Sequence, residues 1–151
     1  MKTAFRTAAT AAVLVIAGMA SAQHIAAHAN ATGIVKERMD NFKATQGHLK
    51  AISRLLGSTE FDEIASRASW MRDWGAAMPA AFPEGSGRAP SEAAPAIWSD
   101  NEGFLTAVSN HVGALDKLLA AAEAGDAGAV ESAFKAVVGT CKACHVKYRK
   151  F

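Results

Sequence analysis

Two cysteines three positions apart, followed at once by a histidine, form the most reactive cluster in the chain: Cys141-Lys142-Ala143-Cys144-His145. No other cysteine is present. Thiols at this spacing can close a disulfide, cycle as a redox dithiol, hold a metal, or each add to a vinyl group of one porphyrin. A disulfide here would close too small a loop to constrain the unfolded chain much. A redox dithiol normally opens a helix after a strand, whereas this pair sits inside the last helical segment. Zinc would need a fourth ligand that the sequence does not place. The histidine directly after the second cysteine points to haem. Two sulfurs one helical turn apart can anchor the ring by thioethers, and the His145 imidazole then reaches the iron from one face. The expectation is one covalent haem c, with His145 as an axial iron ligand.

The elements that must present this motif are helical. An apolar stripe at Ile34, Val35, Met39, Phe42, Leu49, Ile52 and Leu56 predicts a first helix over about 32–56, ended by Gly57-Ser58. Ser58-Thr59-Glu60-Phe61-Asp62-Glu63 has the pattern of a capping box and predicts the start of a second helix. That helix carries Ile64, Met71, Trp74 and Met78 at steps of three and four. Residues 83–90, rich in proline and glycine, read as a loop. A third helix is expected from Pro95 past Phe104, Val108, Leu115 and Leu119 to Gly125-Asp126, and a fourth from Ala127 onward. On the fourth, Val130, Phe134, Val137, Cys141, Cys144 and Tyr148 share one face, so the attachment motif lies on the apolar side. No segment alternates as a strand would. The predicted fold is all-α, an antiparallel up-down four-helix bundle, whose interior is where such folds hold cofactors.

The beginning of the chain reads as an address. Lys2 and Arg6 precede an apolar run from Thr7 to Met19, and Ala20-Ser21-Ala22 offers a small-x-small cleavage pattern. The expectation is a cleaved signal peptide over 1–22, a single domain over 23–151, and a soluble protein in the periplasm with no membrane span. The full chain has 16 basic and 14 acidic residues. Loss of Lys2 and Arg6 balances the charges, so nucleic acid is not implied as a partner.

With these elements in place, the sequence resembles the class II cytochromes c, the family of cytochrome c′ and its low-spin, methionine-ligated relatives. The resemblance rests on Cys141-Lys142-Ala143-Cys144-His145-Val146-Lys147-Tyr148-Arg149 near the C-terminus, on Arg38 with Gly47-His48-Leu49-Lys50-Ala51-Ile52, and on Ala94-Pro95-Ala96-Ile97-Trp98. It implies that Arg38 lies near a haem propionate and that Ser91 and Glu92 approach the haem edge. It also implies that Arg149, one turn past His145, tunes the imidazole. Read without the family, Arg38 would be a surface charge, Ser91 and Glu92 helix caps, and Tyr148 packing. Homodimers through the first two helices are common among relatives.

In the family, the distal wall of the haem comes from the first helix, and here the sequence departs from the common patterns. Phe42 stands where a methionine or leucine is usual, and Met39 where glutamine often follows the arginine. Three residues apart, both can face the ring. Either the Met39 sulfur binds iron and Phe42 packs, or Phe42 covers an open position and Met39 is core. Because Arg38-Met39 looks like the low-spin branch, the leading expectation is a non-enzymatic single-electron carrier with unnamed redox partner proteins. The alternative is a pentacoordinate cytochrome c′ binding nitric oxide or carbon monoxide behind Phe42. His24 and His28 fall at the expected mature N-terminus, and His48 and His111 read as ordinary helix residues.

Overall fold

The computed structural model describes residues 30–150. The expected signal peptide, His24 and His28 lie outside them. Five helices are described: α1 (Gly33–Leu55), α2 (Phe61–Ala77), α3 (Ala96–Ser99), α4 (Asn101–Glu123) and α5 (Ala127–Tyr148), with a 3₁₀ turn over Met78–Ala81 after α2. The four long helices form the expected bundle, and no strand occurs among the described residues. None of the described helices is long and apolar enough to cross a membrane.

Local chemistry explains most boundaries. α4 ends at Gly125, whose φ of 66° lies in the left-handed region that glycine tolerates without penalty. α5 then opens on Asp126, whose carboxylate accepts from the Ala129 N–H at 2.9 Å. That bond satisfies one of the free donors at a helix start. The start of α2 differs from its reading as a capping box. Its N-cap is Glu60, with no side-chain cap. The Ser58 hydroxyl instead donates to the Leu55 carbonyl at 2.7 Å and accepts from the Glu60 N–H. Ser58 therefore closes α1 and bridges the turn.

The third predicted helix is broken in two. Asp100 leaves the helical region at φ −131°, ψ 56° and separates α3 from α4. Its carboxylate is engaged by Lys147 and by the Tyr148 hydroxyl at 2.8 Å, both from the end of α5. Gly103 makes this possible. A Cβ there would collide with the Asp100 carboxylate and stand 2.7 Å from the Tyr148 hydroxyl.

The interior divides into two ends. Ile52, Ile64, Met71, Leu115, Leu118, Val130 and Val137 form an aliphatic core between α1, α2, α4 and α5. All seven are shielded from solvent, and each contributes roughly 1.5–3 kcal/mol of burial. The other end is built from Met78, Ala93, Ile97, Phe104, Val108 and Tyr148, against which Phe42, Trp74, Phe82 and Cys144 pack. The loop between the 3₁₀ turn and α3 is tied onto this end. Ala94 N–H donates to the Tyr148 carbonyl at 3.0 Å, and Lys150 N–H donates to the Glu92 carbonyl at 2.7 Å. These bonds bring Ser91 and Glu92 beside the end of α5.

Candidate functional site

Of the attachment motif, Cys144 packs on the aromatic end and His145 meets its Phe42 ring. Cys141 and Cys144 are free and half-buried on α5. Burial pushes both thiols above their ordinary pKa, which keeps them protonated. His145 is also half-buried. Burial, reinforced by the Arg149 cation and opposed by Glu92, lowers its pKa and keeps the imidazole neutral. A neutral imidazole retains the lone pair that binds iron.

The ring facing His145 from α1 is Phe42, with centroids 6.5 Å apart. Phe42 also meets Trp74 of α2 edge-on at 5.8 Å and Phe82 at 6.4 Å. The chain of rings continues from Phe82 to Phe104 at 5.3 Å and from Phe104 to Tyr148 at 5.5 Å. Met39 is half-buried and, among the described residues, belongs to neither core cluster. Of the two candidates on α1, Phe42 is thus the one packed into the aromatic end.

Arg38 is not the surface charge that its type alone suggests. It is 2 % exposed. Its guanidinium donates to the Ala81 carbonyl at 3.1 Å, to the Ser86 hydroxyl at 2.7 Å, and to the Ser86 carbonyl and Ser91 hydroxyl. It also lies over the Phe82 ring, 4.6 Å from the centroid. Burial lowers its pKa. All four acceptors are neutral, so a buried cation sits here with hydrogen bonds but no countercharge from them. Such a charge is costly unless something anionic approaches it.

Ser91 is buried, and its hydroxyl also accepts from the Ala93 N–H at 3.0 Å. Glu92 receives Arg149, with Nε 2.7 Å from the carboxylate, and this ion pair stands beside His145. Site residues not singled out from the sequence are Phe82 and Ser86. Phe82 borders the proline-glycine loop and Ser86 lies inside it, so helical periodicity gave no signal for either. A large aromatic directly before that loop is the one hint available.

The donor set fits a haem with carboxylate arms. Two protonated thiols and a neutral imidazole share one helix face. A buried guanidinium waits among neutral acceptors, and the Trp74 indole N–H is buried with no acceptor among the described residues. An anionic, planar, apolar ring would answer all of these together.

A helical bundle with this constellation at one end is, by class, a c-type haem protein. The family model described as Cytochrome C′ matches residues 33–149. Cytochrome c′ of Rhodospirillum rubrum is 36% identical over 128 residues, covering 83% of this chain and 87% of that protein. Cytochrome c′ of Pararhodospirillum photometricum is 35% identical, covering 77% and 95%. A mutant cytochrome c′ from Alcaligenes xylosoxidans, solved as its nitric oxide complex, superposes with a TM-score of 0.72 at 30% identity, covering 78% and 94%. This chain belongs to the cytochrome c′ family, and like its members it carries one covalent haem c.

Proposed function

We propose that this protein is a periplasmic, gas-binding cytochrome c′. Cys141 and Cys144 would anchor the haem by thioethers, His145 would hold the iron from one face, and Phe42 would cover the other. When bound, the haem supplies an iron centre that can take a diatomic ligand and change oxidation state by one electron. The observation that carries the reading is the facing pair of Phe42 and His145. A hydrocarbon ring in that place would offer iron no donor atom, and nitric oxide or carbon monoxide could bind there. The nitric oxide complex of a relative supports the same choice. It favours the gas-binding reading over the leading expectation of an electron carrier with Met39 on the iron.

The other side chains would orient the ring. Arg38, fixed by Ser86, Ser91 and the Ala81 carbonyl, would present a cation to a propionate, and the buried Trp74 indole N–H would be a further donor. The Glu92–Arg149 pair keeps a charge-balanced contact beside the His145 imidazole, which modulates its basicity. The aromatic rings would shield that face from water.

The visible spectrum of the reduced protein, with and without carbon monoxide, tests this reading. A high-spin spectrum that shifts on gas addition and ignores Met39→Ala is expected. A low-spin spectrum that becomes high-spin only in Met39→Ala would refute it and restore methionine ligation.

A further inference from the structure

His48, in the run Gly47-His48-Leu49-Lys50-Ala51-Ile52 of α1, has no part in the site described above, yet it stands on the seam between α1 and α2. α2 is the long helix against which α1 packs most closely. Two ring pairs line that seam. Phe42 meets Trp74 edge-on, and six residues further along α1 the His48 imidazole lies against Trp70, with centroids 4.5 Å apart and planes 35° apart. Trp70 and Trp74 are one turn apart on α2, so they share a face. A contact that holds His48 on Trp70 thereby helps to hold Phe42 on Trp74.

A third residue of α2 fixes the state of the imidazole. Arg67 Nη1 lies 3.3 Å from His48 Nδ1. A guanidinium has only N–H donors, so Nδ1 must accept and His48 must be neutral, with its proton on Nε2. Arg67 has little freedom to withdraw. Its Nε donates to the Glu63 carboxylate at 2.8 Å, and its Nη2 pairs with the same oxygen. A proton added at Nδ1 would point at a cation.

The charges around the ring can be named. Partial burial and then the Arg67 cation oppose the imidazolium, while Glu63 favours it, and the balance lowers the His48 pKa. The Trp70 ring also favours a cation. On α1 itself, the residues three and four positions away are Ala44, Thr45, Ala51 and Ile52, none of them charged.

We infer that His48 is a pH-sensitive latch, whose protonation breaks its hydrogen bond to Arg67, loosens α1 from α2 and lets Phe42 yield more readily to an entering gas. The consequence for gas entry rests on the gas-binding reading above; the latch itself does not. A fold that prefers the neutral ring keeps the contact above the ordinary imidazole pKa of about 6.5. It loses the contact as pH falls through the lowered folded value.

The test uses the full-length holoprotein. Reduced wild type is mixed with carbon monoxide in a stopped-flow instrument from about pH 8 to about pH 5, across the imidazole range. The association rate should rise about fivefold as pH falls, the bias carried by one ordinary hydrogen bond. His48→Gln, whose amide oxygen can accept from Arg67 without titrating, should keep the slower rate throughout. Arg67→Met removes the opposing cation and should also flatten the profile. Hydrogen-exchange protection of the α1 amides, corrected for intrinsic exchange, reads the latch without gas. It should fall at acid pH in wild type and stay level in His48→Gln. A pH step in gas uptake that survives in His48→Gln overturns the inference, as does wild-type α1 protection that is level across the range. Gas uptake that begins only with Met39→Ala, while α1 protection still falls at acid pH, supports the latch and overturns the gas-binding reading instead.

Discussion

Replacing Phe42 with alanine should make the reduced protein bind carbon monoxide faster by roughly five- to a hundredfold. On the proposed reading a gas molecule would have to displace the Phe42 ring, and the ring is held by contacts that can be counted. It meets Trp74 at 5.8 Å, Phe82 at 6.4 Å and His145 at 6.5 Å. Aromatic pairs of this kind are worth about 0.5–1.5 kcal/mol each beyond simple burial. Swinging the ring aside gives up the Trp74 and Phe82 contacts, a barrier contribution of about 1–3 kcal/mol. Each 1.36 kcal/mol of barrier is tenfold in rate. Alanine removes the ring and with it this contribution. The same change should lower stability by about 2 kcal/mol, below the 3–5 typical of a fully buried phenylalanine because this ring is half-buried. Stopped-flow mixing or flash photolysis of the reduced protein measures the rate, and thermal unfolding measures the stability. An association rate unchanged in Phe42→Ala but accelerated in Met39→Ala would refute the reasoning, because the barrier would then be ligand displacement from iron.

Three further outcomes follow from the same geometry. His145→Ala should still acquire covalent haem, since the thioethers hold the ring independently. Its spectrum should lose the signature of proximal imidazole, as electronic absorption will show. Arg38→Ala removes the donor from the Ala81 and Ser86 carbonyls and two serine hydroxyls, and should destabilise the protein by about 1–3 kcal/mol in chemical denaturation. It should also move the bend in the potential-versus-pH curve upward, since a carboxylate that loses a neighbouring cation protonates at higher pH. Lys147 and Tyr148 hold the Asp100 carboxyl below its ordinary pKa through hydrogen bonds. A group depressed in this way stabilises the fold above its unfolded pKa, and that contribution is lost as pH falls through the folded one. Asp100→Asn should therefore unfold less steeply with acid than wild type in pH titrations of the helical signal.

What could be read from the sequence follows the range of the interaction involved. The attachment motif is local, five adjacent residues on one helix face, so both its chemistry and its burial were legible. The helices were legible because their apolar stripes repeat at helical spacing. Arg38 was legible only through the family, because its burial depends on Ser86 and Ser91, some fifty positions away, in a loop with no periodicity. The break at Asp100 was hidden for the same reason. Nothing local stops a helix there, and the carboxylate is drawn aside by Lys147 and Tyr148 from the far end of the domain. Sequence alone leaves the choice between Met39 and Phe42 open because both lie within one turn of α1. Packing against Trp74 and Phe82, a long-range feature, is what favours Phe42 in the proposed reading.

The two ends of the bundle carry separate duties. The aliphatic end is complete in itself, since its buried side chains need nothing but one another. The aromatic end contains groups whose requirements its own residues leave unmet: a buried guanidinium among neutral acceptors and an indole N–H buried with no acceptor among the described residues. Buried polar groups of this kind oppose folding unless a partner arrives. The aliphatic end, joined to them through the same four long helices, offsets that cost. On the proposed reading, a haem's carboxylates would supply the negative charge that the neutral acceptors around Arg38 do not. Phe42 owes its position to the same division. Anchored between Trp74 and Phe82, it is held by the aromatic end, so on the proposed reading it would cover the metal without binding it.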